Sequence, residues 1–162
     1  MIRAVTTHNA PRLVTIYNYY VLKTVVTFEE EEVTSAEMVS RITTLTSDFP
    51  WFVYEEQTNI VGFAYAMHWK PRSAYRYSVE TTAYLDPVVY GRGIGTELYS
   101  ALLDELGRRS LHAAVGCIAL PNPPSVALHE KLGFEKVAQF KQIGQKFNKW
   151  IDVGYWQKTL TT

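Results

Sequence analysis

One hexapeptide constrains the rest of the chain: Gly91-Arg92-Gly93-Ile94-Gly95-Thr96 joins an extended run ending near Leu85-Asp86-Pro87 to a segment with Leu98, Leu102, Leu103 and Leu106 at helical spacing. Glycines at alternate positions let the backbone curl and turn its amides outward, and a helix behind adds the positive end of its dipole. A turn of this kind holds phosphate. Two familiar versions are excluded. A dinucleotide G-x-G-x-x-G would need glycine at Thr96 or Leu98, and a P-loop would need Gly-Lys-Ser/Thr.

At 162 residues the chain is expected to form one domain, 1–162, with a core of its own. Hydrophobic residues at 47% against charged ones at 20% argue against disorder. The formal net charge is zero, so no global field draws the chain to nucleic acid or to a membrane, and neither is expected as a partner. The single cysteine, Cys117, excludes an internal disulfide and a cysteine-based zinc site, and no metal is expected. Its apolar surroundings, Ala113 to Ile118, predict a buried, inert thiol. No apolar run reaches the ~20 residues of a membrane span. Met1-Ile2-Arg3-Ala4-Val5 does not read as a targeting segment, so a cytoplasmic location is expected.

In chain order, Ile2–Thr6 reads as a short strand, and Asn9 as the cap of a helix with the stripe Leu13, Ile16, Tyr17, Tyr20 and Val21. Thr24 to Phe28 is loop-like, and Glu29 to Glu32 form a solvated acidic edge rather than a cation site, whose oxygen ligands would be interspersed with turn residues. Thr34 with Glu37 is a capping box for a helix burying Met38, Ile42 and Leu45. Trp51–Glu55 and Ile60–Trp69 are strands of a hairpin turning at Gln57-Thr58-Asn59. Tyr77–Leu85 is a further strand, whose alternation puts Glu80, Thr82 and Tyr84 on one face and Val79, Thr81, Ala83 and Leu85 on the other. After the glycine turn and its helix come a strand His112–Leu120, a helix opened by Asn122-Pro123-Pro124-Ser125, and strands Phe134–Gln142 and Asp152–Thr159. The order β-α-α-β-β-β-α-β-α-β-β describes an α+β fold with a mixed, mostly antiparallel sheet flanked by helices.

Two stretches at compatible spacing carry a resemblance. The glycine turn is similar to the Q/R-x-x-G-x-G/A signature of the GNAT acetyltransferase superfamily, with Tyr90 where that family usually has Gln or Arg. Asn122 to Phe134, with Ser125, Leu128, His129 and Gly133, resembles its second signature, with His129 where many members carry a tyrosine near the coenzyme sulfur. Thr27-Phe28, Phe49-Pro50-Trp51, Trp69 to Tyr75, Val79 to Thr82 and Asp152 to Gln157 extend the similarity to the phosphinothricin acetyltransferase branch over nearly the whole chain.

The resemblance implies a GNAT fold, acetyl-CoA as co-substrate, no metal, and transfer of an acetyl group to the amine of a small amino acid analogue of the phosphinothricin, methionine sulfone or methionine sulfoximine type. It implies catalytic roles for Glu80, as the base that takes the ammonium proton, and for His129, as donor to the leaving thiolate or as a contact to the acceptor's acid group. Ala83, Tyr84 and Leu85 would pair with the pantetheine amides, Gly91, Arg92, Gly93, Ile94, Gly95 and Thr96 would hold the pyrophosphate, and Asn122 would bond the pantetheine arm. Phe28, Arg72, Ala74, Tyr75 and Glu80 would form the acceptor pocket, where a guanidinium can grip an acid group through two parallel bonds. A homodimer is implied as well. The alternatives are another small amine or a protein N-terminus as acceptor, signalled by a wider and more acidic cleft, and a non-catalytic acyl-CoA-binding protein.

Overall fold

The computed structural model describes residues 1–160. Its elements follow the expected order: β1 (Ile2–Ala4), α1 (Ala10–Lys23), α2 (Ser35–Thr46), β2 (Trp51–Glu56), β3 (Asn59–His68), β4 (Ser78–Leu85), α3 (Ile94–Arg108), β5 (Ala113–Leu120), α4 (Pro123–Lys131), β6 (Glu135–Lys146) and β7 (Lys149–Thr159). The strands form one seven-stranded sheet in the order β1-β2-β3-β4-β5-β7-β6. Every neighbouring pair is antiparallel except β4 and β5.

Two apolar layers cover the sheet, and strand alternation decides which residue joins which. Val79 of β4 packs with Leu98, Tyr99, Leu102 and Leu106 of α3, whereas Tyr84 packs with Leu13, Ile16 and Tyr17 of α1 and with Met38 and Ile42 of α2. The period-2 reading of β4 therefore holds, with Glu80 on the α1/α2 face and Thr81 on the α3/α4 face.

Local chemistry differs from expectation at a few ends. Asn9 does not cap α1: its Oδ1 turns back to accept from the Thr6 amide at 2.9 Å and from Arg3 at 3.1 Å, closing a short turn, and Pro11 stands in the helix's first turn. Thr34 does cap α2, accepting from the Glu37 amide at 3.1 Å, but the Glu37 carboxylate goes forward to Arg41 instead of completing the box. The β2–β3 turn has two residues, Gln57 and Thr58, both left-handed with φ of 47° and 68°, so Asn59 already belongs to β3. Both final strands run longer than expected and meet at Phe147-Asn148, again left-handed, as one long hairpin. The exposed side chains Val137, Phe140 and Ile143 hide the period that would have extended β6.

Candidate active site

The pairing of β4 with β5 covers three positions, Ser78–Ala113, Val79–Ala114 and Glu80–Val115. Both strands continue, to Leu85 and Leu120, without pairing further with each other. Between them lies a cavity of about 260 Å³, walled by Glu80 to Tyr84 of β4 and by Cys117 to Ala119 of β5. It reaches both faces of the sheet: Tyr99, Ser125 and His129 line it from the α3/α4 layer, and Thr27 and Phe28 from the α1–α2 connection. Backbone groups along these parted edges lack ladder partners and suit a ligand with amides of its own. Ala83 and Tyr84 occupy this edge, whereas the Leu85 carbonyl accepts from the Tyr20 hydroxyl.

Glu80 sits where the strands part. Burial raises its pKa above the ordinary carboxylate value, and the neighbouring Cys117 thiol and the Lys70 ammonium draw it partly back. A carboxylate desolvated in this way is a stronger base than one in water. Cys117 is half-buried and lines the cavity, so it is a wall of the site rather than core filling. Burial and the adjacent Glu80 push its thiol pKa well up, which keeps it protonated and unreactive.

His129 is buried at 6% exposure and bonded through both ring nitrogens. Nδ1 lies 2.7 Å from the Ser125 carbonyl, which can only accept, so Nδ1 carries the proton and Nε2 is the acceptor for the Tyr99 hydroxyl at 3.0 Å. The Tyr99 oxygen in turn lies 2.5 Å from the Thr81 hydroxyl. Burial lowers the His129 pKa from 6.5, with the Ser125 carbonyl opposing, so the ring is neutral at neutral pH. The ring is wedged against Gly116, where a β-carbon would collide with it. It thus faces the cavity from the opposite side of the sheet to Glu80, with Tyr99 beside it. Tyr99 escapes sequence reasoning because it reads as one more apolar position in the α3 stripe; its phenol among leucines is the signal.

The glycine turn fits a phosphate cradle. Gly91 and Gly93 have φ of 78° and 82°, where L side chains are strained, and a β-carbon at either would meet nothing within 4 Å, so the surface above is open. Gly93 is the left-handed N-cap of α3, and the amides of Ile94, Gly95 and Thr96 have no carbonyl one turn back. Gly95 differs: its φ is ordinary, and a β-carbon there would make only van der Waals contact with Leu85 at 3.4 Å. The Arg92 side chain is held by Glu56 at 2.6 Å, which leaves its backbone for the cradle. Tyr90 shares a hydrogen bond with the Tyr20 hydroxyl and so ties the turn to α1 and, through Tyr20, to Leu85. Asn122 lines the cavity and caps α4, its Oδ1 accepting from the Ser125 amide at 3.3 Å.

On the α1/α2 face a groove of about 780 Å³ adjoins the cavity, sharing Thr27, Phe28, Glu80, Thr82 and Tyr84 with it and adding Trp51, Tyr65, Met67, Glu37 and Arg41. Phe28 lines both spaces. Arg72, Ala74 and Tyr75 do not: they lie exposed on the β3–β4 connection and line neither space. The guanidinium in the groove is that of Arg41, paired with Glu29 through two bonds of 2.9 and 2.5 Å. Arg41 holds the Glu29 carboxyl below its usual range, so Glu29 is withdrawn from the solvated edge expected of it, while Glu30, Glu31 and Glu32 remain exposed.

A parted pair of parallel strands, an open amide turn on one side and a desolvated carboxylate on the other define an acyltransferase site, and the chain belongs to the GNAT acetyltransferase family: the sequence model of the acetyltransferase (GNAT) domain matches residues 2–154. The chain is 36% identical over 157 residues to a phosphinothricin N-acetyltransferase of Streptomyces viridochromogenes, covering 97% of this chain and 86% of that protein. It is 34% identical over 146 residues to an L-methionine sulfoximine/L-methionine sulfone acetyltransferase of Salmonella typhimurium, covering 90% and 85%. A phosphinothricin acetyltransferase of Sinorhizobium meliloti, solved in complex with acetyl-CoA, superposes with a TM-score of 0.96 at 34% identity, covering 99% of this chain and 88% of that one.

Proposed function

We propose that the chain catalyses acetyl-CoA-dependent N-acetylation of a small amino acid analogue of the phosphinothricin, methionine sulfone or methionine sulfoximine type, in the cytoplasm. The observation that carries this is the end of β4–β5 pairing at Glu80, which puts a desolvated base at the junction of the cavity between the strands and the groove on the α1/α2 face. Acetyl-CoA supplies the activated acetyl group. The amides of Gly91 to Thr96 hold its pyrophosphate, and the parted edge of β4 with Asn122 holds its arm. Glu80 accepts the proton of the acceptor's ammonium, leaving the free amine to attack. Tyr99 turns its phenolic proton from Nε2 of His129 to the leaving thiolate, and the proton shed by the attacking nitrogen as the intermediate collapses restores the phenol. Phe28 is the apolar wall, and the acceptor's acid group extends out of the groove to meet Arg72 and Tyr75 on their exposed connection.

The protein works as a homodimer in this reading. The outer strand β6 and its turn present exposed Val137, Phe140, Ile143 and Phe147, with Trp150 of β7 beside them. Light scattering should report twice the chain mass of 18.5 kDa.

A second reading, a cationic or peptidyl amine, is favoured by one observation: the groove carries Glu29, Glu37 and Glu80 against Arg41. Thiol release from acetyl-CoA across methionine sulfone, methionine sulfoximine, phosphinothricin, spermidine and an N-terminal peptide decides between them. Turnover concentrated on the first three supports the proposal, and turnover confined to the last two overturns it.

A further inference from the structure

Lys146 ends β6 at 2% exposure, more deeply buried than any other charged side chain among the described residues. An ammonium is rarely placed there without a partner, and this one is satisfied by backbone: Nζ donates to the Thr27 carbonyl at 2.7 Å and to the Tyr20 carbonyl at 3.5 Å, with the Phe147 ring 5.2 Å away. Tyr20 lies in the last turn of α1, whose carbonyls point out of the helix end and favour a cation. The lysine therefore pins the β6–β7 hairpin to the α1–α2 connection.

Two residues earlier on the same strand, Gly144 makes the matching contact. A β-carbon there would lie 2.7 Å from Cζ of Phe28, so the aromatic ring rests directly on bare backbone. Thr27 is further fixed from the other side by its hydroxyl, 2.8 Å from that of Tyr17. Thr27 and Phe28 together form the wall shared by the cavity between β4 and β5 and the groove beside it.

We propose that Lys146 is a positioning residue for acceptor binding: by holding the Thr27 carbonyl while Gly144 seats the Phe28 ring, it fixes the wall against which the acceptor lies. Lys146 touches neither space itself, and it acts through Phe28. This rests on the acceptor reading above, and it goes beyond it in assigning acceptor affinity to the far hairpin.

The test is a mutant cycle read with methionine sulfone. Lys146→Met keeps the apolar stem and removes the donors. It should raise KM for the acceptor by about tenfold or more, leaving kcat and acetyl-CoA affinity within about twofold. Gly144→Ala, which pushes the half-exposed ring off its seat with no loss of a buried charge, should do the same with an unchanged melting temperature, and serves alone if Lys146→Met does not fold. Both effects should shrink below about twofold in a Phe28→Ala background, because the wall they position is gone. Effects on KM that persist in that background overturn the proposal. Amide exchange over residues 24–29 reads the clamp with no acceptor present: it should quicken in Lys146→Met and Gly144→Ala, and unchanged exchange overturns the proposal. Failure of the wild-type protein to acetylate methionine sulfone would count against the acceptor reading instead, and exchange would then decide the clamp by itself.

Discussion

Arg72 and Arg41 divide the question of what meets the acceptor's acid group. If Arg72 binds it from the exposed connection, Arg72→Ala should raise KM for methionine sulfone roughly tenfold to a hundredfold, the range for a charge-assisted hydrogen bond, and Arg72→Lys should recover part of the loss. Indifference to Arg72 with the same penalty in Arg41→Ala would move the role to the groove. His129 and Tyr99 make a second pair. Tyr99→Phe removes the hydroxyl between Thr81 and His129, and kcat should fall by about tenfold or more with acetyl-CoA affinity nearly unchanged. The sign of the His129 titration follows from its lowered pKa: the folded state binds that proton less readily than the unfolded chain, so its contribution is complete above pH 6.5 and is lost as pH falls through that value toward the folded pKa. Thermal melts across that window should show His129→Gln losing less stability on acidification than the parent, and parallel curves would contradict the assignment.

At the scale of elements, the turn before α3 combines two demands on glycine that a simple substitution would confuse. Any L side chain at Gly93 meets a backbone strained at φ 82°, so Gly93→Asn, which tolerates that region, is the control for Gly93→Asp. The two should melt alike, while calorimetric affinity for acetyl-CoA should be more than about tenfold weaker in the aspartate variant, whose charge faces the amides. Equal affinities would remove the pyrophosphate from this turn. The same turn was legible in the sequence because glycine spacing is a local signal, as was the Glu80 face of β4, set by a period of two. The parting of β4 from β5 was not legible, since it depends on which strands neighbour one another. Nor was the departure of Arg72, Ala74 and Tyr75 from the cleft, because a loop's sequence does not say which way it folds back. Arg41 and Glu29 were hidden for a related reason: on their own segments each reads as a surface charge, and only the packing of α2 against the connection makes them a pair.

Over the whole molecule, the sheet separates two tasks. The α3/α4 face carries the glycine turn, Tyr99, His129 and Asn122; the α1/α2 face carries the groove, Phe28 and Arg41; and the break between β4 and β5 is the passage between them, with Glu80 at its closed end. That carboxylate is the centre of the proposed reaction. Its raised pKa means the folded state holds the proton more tightly than the unfolded chain, so charging Glu80 costs stability as pH rises through the folded value. Replacement by glutamine should therefore leave the melting temperature at pH 8 no lower than the parent's. Steady-state turnover of methionine sulfone by Glu80→Gln, with acetyl-CoA affinity measured on the same sample, is the most direct test. Its kcat should be lower by roughly 10²–10⁴-fold, with affinity for the coenzyme unchanged; turnover at the parent's rate would show that the proton leaves by another route and that the passage does not meet the acceptor at Glu80.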